Sequence, residues 1–354
     1  MTQRGNAATR TDADAAAWLI DDELLHLREW GTHRIYPLPP AGGALTIGAG
    51  RACALRLLDP AWRVSHEHAR LSREHARWVI RDLNSRNGTR LDGARRFEFP
   101  LLPGVEVGIG RLTLIAESQA LIALRGFLAR LLGWSEDRIV AIDRALRALR
   151  TAATRRGALV VCGDGDVVPI AHSLHLRTIG GARPFVVCDP RRQGTGAPAA
   201  RRELRAALDA ATSGTLCLRA RQLPRDLREV WLAFRDPSSH VRLVLCTDDA
   251  SDARTLLADP IVVPPLPRRS AELGRIVDEY ARDAITELAA AATGFSRADR
   301  DWVLAHSAST LPEIEQGARR RVALRQAGTI TGAATRLGVS HVALSQWLGR
   351  RRLP

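Results

Sequence analysis

The chain has 354 residues, a formal net charge of +14 and 45% hydrophobic residues. This length exceeds that of one typical domain, and the apolar content is sufficient for ordinary globular cores, so two or three domains are expected. All 52 Lys/Arg positions are arginine, because the sequence contains no lysine, and this excludes every mechanism that needs a lysine amine.

Residues 1–22 are rich in Ala, Thr and Asp and are predicted to form a flexible amino terminus. They contain no apolar signal core, and no later stretch is long enough to span a membrane, since Arg125 and Arg130 interrupt the apolar run from Leu121 to Trp134. The five cysteines show neither paired nor metal-ligand spacing, and the four that end or interrupt short apolar runs are expected to be buried, reduced thiols. A cytoplasmic protein without a membrane segment is therefore expected.

Short apolar runs separated by Gly, Pro, Asn and Asp occupy residues 23–117 and predict an all-β sandwich. Its strands are expected at Ala44–Ile47, Leu55–Leu57, Arg77–Ile80, Val105–Gly108 and Leu112–Ile115. Asn87-Gly88 is a strong signal for a tight turn. Loops at one end of a sandwich can present hydroxyl, amide and guanidinium donors together, and such a set suits a phosphate.

Three motifs in this region carry a resemblance to a known family. They are Gly48 with Arg51, then Ser65-x-x-His68-Ala69, then Asp82-x-x-Ser85-x-Asn87-Gly88-Thr89. Together they resemble a forkhead-associated (FHA) domain, a family that binds phosphothreonine peptides. The resemblance implies that Ser65 contacts the phosphate and that Asn87 binds the peptide backbone, while Arg86 helps to select the residues after the phosphothreonine. Gly48, His68 and Gly88 are expected to be structural, with Gly88 at a turn position of positive φ.

The position of the phosphate arginine departs from the family pattern. The family usually has Gly-Arg directly after the first of these strands, whereas Ala49 and Gly50 separate Gly48 from Arg51 here. The arginine is therefore either Arg51 in a shifted loop or missing. The alternative interpretation is a sandwich that kept its turns and lost its ligand.

A different architecture follows a linker at residues 118–135. Ser135 is expected to cap a helix that reaches about Thr154, with apolar residues at helical spacing. Fully apolar runs then alternate with helix-length segments, which is typical of a parallel α/β sheet covered on both faces; they lie at Ala158–Cys162, Pro184–Cys188, Thr215–Leu218 and Val241–Cys246. This α/β domain is assigned to residues 136–268 and a helical region to residues 269–316.

The order of these pieces resembles the AAA+ domain of bacterial enhancer-binding proteins, ATPases that activate the nitrogen-type alternative sigma factor. Leu132-Gly133-x-Ser135 is similar to that family's opening motif, Gly163-Asp164-Gly165 to its phosphate loop, and Gly214-Thr215-Leu216-x-Leu218 to its second nucleotide motif. The resemblance implies that residues 269–316 are the helical lid. An unrelated α/β fold with similar turns is the alternative.

The residues that perform the family's chemistry are missing. A phosphate loop needs a lysine at the β- and γ-phosphates, but Gly163–Pro169 contains two aspartates and no lysine. Arg219 and Ala220 stand where two acids should hold magnesium, no lid arginine is visible around Leu311–Ile314, and the sigma-contacting loop is reduced to Gly194–Ala197. The domain is therefore predicted to be a catalytically dead AAA+-like core, and no enzyme and no cofactor are expected.

His172 and His175 have metal-compatible spacing on a predicted helix. No third ligand is visible nearby, so no metal site is expected.

The basic surplus is concentrated in residues 317–354, which contain eight arginines and no acid. Such a surplus indicates nucleic acid or an acidic partner, or else solvated helix surface. The pattern from Thr331 through Gly338 and Ser340 to Trp347-Leu348 resembles a Fis-type helix-turn-helix, which in the AAA+ family follows the lid. Ala333 and Ala334 permit close helix approach, and Val339, Leu344 and Leu348 are expected to pack the inner face of the second helix. The alternative is a helical hairpin that serves packing or dimerisation.

The helix-turn-helix resemblance implies double-stranded DNA as a partner and a homodimer as the binding form. The outward side chains of the second helix would face the major groove, and flanking arginines would meet phosphates. The DNA-binding residues expected on this basis are His341, Ser345, Gln346, Arg350 and Arg351.

Taken together, the sequence predicts a DNA-binding transcriptional regulator of three parts. Its FHA domain would sense a threonine-phosphorylated partner from a Ser/Thr kinase pathway, and its dead AAA+-like core would serve as a scaffold. The main alternative is a phosphopeptide-dependent adaptor without sequence-specific DNA binding, whose basic tail binds another protein or an acidic surface. An active ATP-driven activator is the third hypothesis.

Overall fold

The computed structural model describes residues 23–351 except 41, 76, 155–156, 190–197, 224–227, 229, 231, 233, 235–240 and 252–258. The predicted flexible amino terminus (1–22) and the predicted remnant of a sigma-contacting loop (Gly194–Ala197) lie outside the described residues. The chain divides into two compact units, Met1–Val161 with Ala171–Ile261 and Cys162–Ile170 with Val262–Pro354. The domain boundaries drawn from the sequence stay predictions.

The amino-terminal part of the first unit is the predicted β-sandwich. Its strands are β1 (Leu24–Glu29), β2 (Ile35–Pro37), β3 (Ala44–Gly48), β4 (Leu55–Arg56), β5 (Ala69–Glu74), β6 (Arg77–Asp82), β7 (Thr89–Leu91), β8 (Ala94–Arg95), β9 (Glu98–Pro100), β10 (Glu106–Ile109) and β11 (Leu112–Ser118). One sheet has the order β2-β1-β11-β10-β7-β8 and the other β4-β3-β5-β6-β9.

The alternation of apolar residues builds the core between these two sheets. Leu71 on β5 lies opposite Ile80 on β6, and neither side chain is exposed. Leu27, Ile47 and Leu114 are buried in the same core. Because side chains on a strand point alternately to the two faces, the same register turns Arg70 outward.

Two helices follow the sandwich within the first unit, α1 (Gln119–Leu132) and α2 (Ile139–Thr154). The Ser118 hydroxyl caps α1 by accepting a hydrogen bond from the Leu121 amide at 3.3 Å. Ser135 does not cap α2 as the sequence suggested: it precedes a 3-10 turn at Glu136–Arg138 and makes no side-chain capping bond, so α2 begins at Ile139.

A buried arginine on β1 joins the sandwich to these helices. The Arg28 side chain donates to Glu117 Oε1 on β11 at 2.8 Å and to both carboxylate oxygens of Asp143 on α2 at 2.6 and 3.1 Å. All three residues are at most 2% exposed. Burial alone would lower the pKa of Arg28, but the hydrogen bonds and charges of the two acids outweigh it, so the pKa is raised.

Two further arginines of α2 bind the sandwich at its surface. Arg150 holds both carboxylate oxygens of Asp92, in the turn between β7 and β8, at 2.6 and 2.8 Å. Arg147 binds Glu106 on β10 in the same bidentate way, and its guanidinium carbon lies 4.0 Å from the centre of the Trp30 ring. Helix α2 is thus attached at three separate points along its length.

Most of the predicted parallel sheet lies in the rest of the first unit. Its strands are β12 (Leu159–Cys162), β13 (Phe185–Cys188), β14 (Ala199–Arg201), β15 (Thr215–Arg219), β16 (Arg242–Thr247) and β17 (Ile261–Val262), in the order β14-β13-β15-β16-β12-β17. β13 pairs in parallel with β14 and β15, and β15 with β16. The connecting helices include α3 (Val168–Thr178) and α4 (Leu204–Ala210).

Cysteines and histidines around this sheet are structural. All five cysteines, including Cys53 in the sandwich, are buried and free, as predicted for four of them. His175 donates from Nε2 to the Arg183 carbonyl at 3.0 Å and accepts at Nδ1 from the Thr215 hydroxyl at 2.9 Å, and burial lowers its pKa to about 4. Among the described residues, no group of three or more His, Cys, Asp or Glu side chains could hold a metal ion.

The second unit is mainly helical, with α5 (Leu273–Glu287), α6 (Arg297–His306), α7 (Leu311–Ala327), α8 (Ile330–Leu337) and α9 (His341–Arg350). Gly328 and Gly338 end α7 and α8 with φ of 68° and 64°, and the Ser340 hydroxyl caps α9 by accepting from the Ala343 amide. Ala333, Ala334, Leu344 and Leu348 pack in one core, as predicted.

The prediction that Val339 packs the inner face of α9 is wrong, because this residue is 36% exposed. The position falls in the turn before the cap, and Trp347 fills the core instead. Within the part of the chain that the structure describes, no helix is long and apolar enough to cross a membrane.

We predict that Asp143→Ala lowers the free energy of unfolding by about 3 kcal/mol, because it leaves the buried Arg28 guanidinium with one acid instead of two. Urea unfolding followed by circular dichroism would measure this. Asp209→Ala is the matched control, since the Asp209 side chain is 69% exposed and its ion pair with Arg205 is worth less than about 0.5 kcal/mol. Equal effects of the two substitutions would contradict the structural role assigned to Asp143.

Candidate functional site

Three loops of the sandwich meet beside the end of β3, and backbone contacts set their spacing. Residues 49–53 follow β3, residues 57–68 connect β4 to β5, and residues 83–88 connect β6 to β7. The Ala49 amide donates to the Ser65 carbonyl at 3.0 Å, and the Gly50 amide donates to the His66 carbonyl at 2.9 Å. A Cβ on Gly48 would lie 2.1 Å from the His66 carbonyl oxygen, so only glycine permits this approach.

Ser65 connects the second loop to the third. Its hydroxyl oxygen accepts a hydrogen bond from the Arg86 amide at 3.1 Å. This bond uses a lone pair and leaves the hydroxyl hydrogen available to a ligand, since serine has one donor and two acceptor positions. The Ser65 side chain is half-buried and therefore reachable from solvent.

His68 and Asp82 form a buried polar network beneath Ser65. His68 Nδ1 accepts from the Ser65 amide at 3.1 Å, so the neutral ring has its proton on Nε2, which lies 2.9 Å from Ser85 Oγ and 3.3 Å from the Gly88 carbonyl. Burial lowers the pKa of His68 and favours this neutral form. The ring therefore ties the second loop to the third, which is the structural role that the sequence predicts for it.

Asp82 is the acceptor that completes this network. Its carboxylate accepts from the Ser85 amide and hydroxyl and from the Thr89 hydroxyl, all at 2.7 to 2.8 Å. Burial would raise the pKa of Asp82, but these hydrogen bonds outweigh it and the pKa is lowered. The fixed carboxylate sets the shape of the turn before β7.

Asn87 and Gly88 form the tip of the third loop. Asn87 Nδ2 donates to the Arg63 carbonyl at 2.7 Å, which leaves its second N–H and its side-chain oxygen available. Gly88 has φ of +69°, and a Cβ there would lie 2.2 Å from Arg95 Nε. The positive φ favours glycine at this position, while the Arg95 side chain is exposed and could move aside.

The loop from 57 to 64 is organised by Asp59. Its carboxylate accepts from the backbone amides of Ala61, Arg63 and Val64 at 2.5 to 3.0 Å. The tip of this loop exposes Trp62, whose side chain is 86% accessible. The carboxylate therefore fixes the loop that bears both Arg63 and Ser65.

The edge of the site is cationic. Arg51, Arg63 and Arg86 are exposed, and no described residue forms an ion pair or a side-chain hydrogen bond with their guanidinium groups. Ser65 lies two residues after Arg63, and Asn87 directly follows Arg86. Such a set of donors is suited to an anion with several acceptor oxygens, held against a polypeptide backbone.

The structure brings most of the sequence-predicted site residues together. Gly48, Ser65, Arg86 and Asn87 are connected through the backbone and side-chain contacts given above. Arg51 follows directly on Gly50, whose amide pairs with His66, and its side chain extends into solvent. Its contribution to a bound anion stays a prediction.

Sequence reasoning missed the roles of Asp59, Asp82 and Arg95. The dipeptide Asp59-Pro60 is a turn signal that could have indicated the first. Asp82 lies within the motif, but its three donors become visible only in the fold. No local signal predicts that Arg95 lies over Gly88.

The second predicted site is the exposed face of α9. His341, Gln346 and Arg350 are exposed and Ser345 is half-buried, while Leu344, Trp347 and Leu348 face the core. Arg351, also predicted to bind DNA, is instead engaged within the protein. Its Nε donates to Ser307 Oγ at 3.1 Å, and its Nη2 lies 3.8 Å from Glu313 Oε1. Its guanidinium is also stacked 4.7 Å from the Trp347 ring centre.

At the predicted second nucleotide motif, β15 ends in Arg219. Its guanidinium donates to Asp189 Oδ2 at 2.8 Å, just after the end of β13. A cationic side chain therefore occupies the position at which the AAA+ resemblance implies a magnesium-binding acid.

Comparison with known proteins identifies the amino-terminal part. Residues 45–110 match the family model of the FHA domain. The FHA domain of FhaA, solved in complex with the intracellular domain of Rv3910, is 31% identical over 25% of this chain and 96% of that chain, with a TM-score of 0.23. An FHA domain from an analysis of phosphothreonine-dependent interactions is 28% identical over 27% of this chain and 98% of that chain, with a TM-score of 0.25.

A longer structure is also similar. Mycobacterium tuberculosis EmbR in complex with a low-affinity phosphopeptide is 24% identical over 32% of this chain and 30% of that chain, with a TM-score of 0.26. No curated protein matches the chain.

Proposed function

We propose that this protein binds threonine-phosphorylated proteins through the FHA domain that its residues 45–110 form. The observation that supports this most directly is the bond from the Arg86 amide to the Ser65 hydroxyl, which joins two donor-bearing loops and leaves the hydroxyl hydrogen for a phosphate oxygen. The Asn87 amide, adjacent to Arg86, would bind the main chain of the peptide. The exposed Arg86 side chain would contact residues that follow the phosphothreonine.

Arg51 is the proposed phosphate arginine. The backbone pairs of Ala49 with Ser65 and of Gly50 with His66 hold the start of its loop beside Ser65, which supports a phosphate contact by Arg51 despite the two additional residues after Gly48. A guanidinium at this position would supply charge-assisted hydrogen bonds, which are roughly twice as strong as neutral ones.

We predict that Ser65→Ala and Asn87→Ala each weaken binding of a phosphothreonine peptide by about tenfold or more, because each removes a hydrogen bond to a charged or main-chain group. Arg51→Ala should cost at least as much, because it removes charge-assisted hydrogen bonds to the phosphate. Fluorescence anisotropy with the full-length chain and a peptide selected from a phosphothreonine library would measure this.

Ser72→Ala is the matched control, because Ser72 lies on β5 and its hydroxyl donates to Glu74 rather than to a loop of the site. Equal affinity for the phosphorylated and the unphosphorylated peptide would overturn the proposed function.

We propose that the protein responds to phosphopeptide binding through DNA binding by α8 and α9. Three observations support a helix-turn-helix of the Fis type: the left-handed Gly338 between the helices, the Ser340 cap, and the exposed His341, Gln346 and Arg350 on α9. Residues 317–354 contain no acid that would repel phosphates. The resemblance further implies that the protein acts as a homodimer and regulates transcription.

We predict that Arg350→Ala weakens binding to selected genomic fragments and reduces the slope of log affinity against log salt by about one, because one phosphate contact is lost. Electrophoretic mobility shifts of the full-length chain at several salt concentrations would show this. Arg297→Ala is the control, since the Arg297 side chain is 94% exposed on α6. If the chain shows no preference among DNA sequences and its basic residues 317–354 bind a protein instead, the adaptor hypothesis is favoured.

The parallel-sheet region is proposed to be a scaffold rather than an ATPase. The proposal is supported by the Arg219–Asp189 pair and by the absence of lysine from the whole sequence. Phosphoryl transfer depends on positioning and charge neutralisation by such a lysine and by acid-bound magnesium.

We therefore predict that the purified chain releases no phosphate from ATP with magnesium above the level of a buffer blank. ATP hydrolysis that co-purifies with the protein through successive steps would support the hypothesis of an active ATP-driven activator.

A further inference from the structure

Trp62 is the most exposed of the large hydrophobic side chains in the described residues, at 86%. Its backbone is also unusual, since φ is +53°, a left-handed conformation that side-chain-bearing residues rarely adopt. A left-handed backbone at a tryptophan costs free energy, and strained residues of this kind cluster at ligand-binding sites.

The loop around Trp62 holds this conformation rigidly. The Asp59 carboxylate accepts the amides of Ala61 and Arg63 on either side of the tryptophan, and the Trp62 amide donates to the Asp59 carbonyl at 3.1 Å. The indole is therefore presented to solvent from a fixed backbone rather than from a mobile tip. A pre-organised aromatic group loses little conformational entropy when it is covered.

The same loop is joined to the phosphopeptide site. The Arg63 carbonyl, next to Trp62, accepts the side-chain amide of Asn87 at 2.7 Å, and Ser65 lies three residues after Trp62. A peptide whose main chain binds Asn87 would therefore run past Trp62. Continuity with the site makes the peptide, rather than an unrelated partner, the occupant of this surface.

We propose that Trp62 is a specificity-determining residue that packs against an apolar side chain of the bound phosphothreonine peptide. This inference rests on the proposed function of the FHA domain. An aromatic face accepts either an apolar group or a cation. Arg51, Arg63 and Arg86 are exposed and form no ion pair with a described residue, so their charges repel a basic peptide residue and an apolar side chain is the one that fits.

The experiment compares the full-length wild-type chain with Trp62→Gly and Trp62→Phe on an oriented library that fixes phosphothreonine and randomises the flanking positions. Glycine removes the indole but accepts a φ of +53°, so the loop keeps its shape. Ile35→Ala is the matched control: Ile35 is 50% exposed on β2, at the edge of its sheet opposite to β7 and β8.

We expect the wild type to select an apolar residue at one flanking position, and Trp62→Gly to weaken that peptide by about tenfold. The same variant should bind a peptide with glycine at that position as tightly as wild type does. Trp62→Phe should retain most of the preference, and Ile35→Ala all of it.

Three results would overturn the inference. In the first, Trp62→Gly leaves the selected residue and its affinity unchanged. In the second, it weakens every phosphothreonine peptide equally, which would assign Trp62 to loop structure. In the third, the wild type prefers a basic or acidic residue instead. All three differ from failure of the proposed function, in which the wild type binds no phosphothreonine peptide.

Discussion

The buried contact of Arg28 with Glu117 and Asp143 is the constraint on which the first unit depends. A guanidinium that is 1% exposed is costly unless every neighbouring charge and hydrogen bond is in place. Because Glu117 lies on β11 and Asp143 on α2, satisfying Arg28 fixes the helix against the sandwich. Arg150 extends this attachment to Asp92, at the far end of the strand that begins immediately after Gly88. The recognition loops are therefore supported by the same contacts that position the helix.

Local patterns in the sequence were sufficient to predict much of this fold. The alternating runs predicted strands of both sheets, the apolar runs at regular intervals predicted the parallel sheet, and the Gly338-x-Ser340 pattern predicted a helix end and a new cap. These features depend on neighbours within a few residues. The sequence could not predict the buried ion pair of Arg28, because its partner Asp143 is 115 residues away in the chain.

The candidate site shows the same division. The family resemblance implied Ser65, His68 and Asn87, whereas the tight-turn signal of Asn87-Gly88 is local. The reason for Gly48 is not local: it is the approach of the His66 carbonyl from another loop. The misplaced cap at Ser135 has a related origin, since a 3-10 turn between cap and helix leaves no trace in apolar periodicity. The predicted packing of Val339 against the inner face of α9 was wrong, because Val339 lies in the turn before the helix and was counted as part of it.

The hydrogen bonds between the loops have a consequence for the kinetics of recognition. Asp59 and Asp82 each fix one loop internally, while His68 and the Ala49–Ser65 and Gly50–His66 backbone pairs join the loops to one another. All of these bonds form without a ligand, so little ordering remains to be done when a peptide arrives. For such a site, encounter is governed by diffusion and by the cationic edge, and differences among partners appear in how long each remains bound. For the phosphorylated partners proposed above, the residence time, rather than the rate of capture, would then distinguish one partner from another.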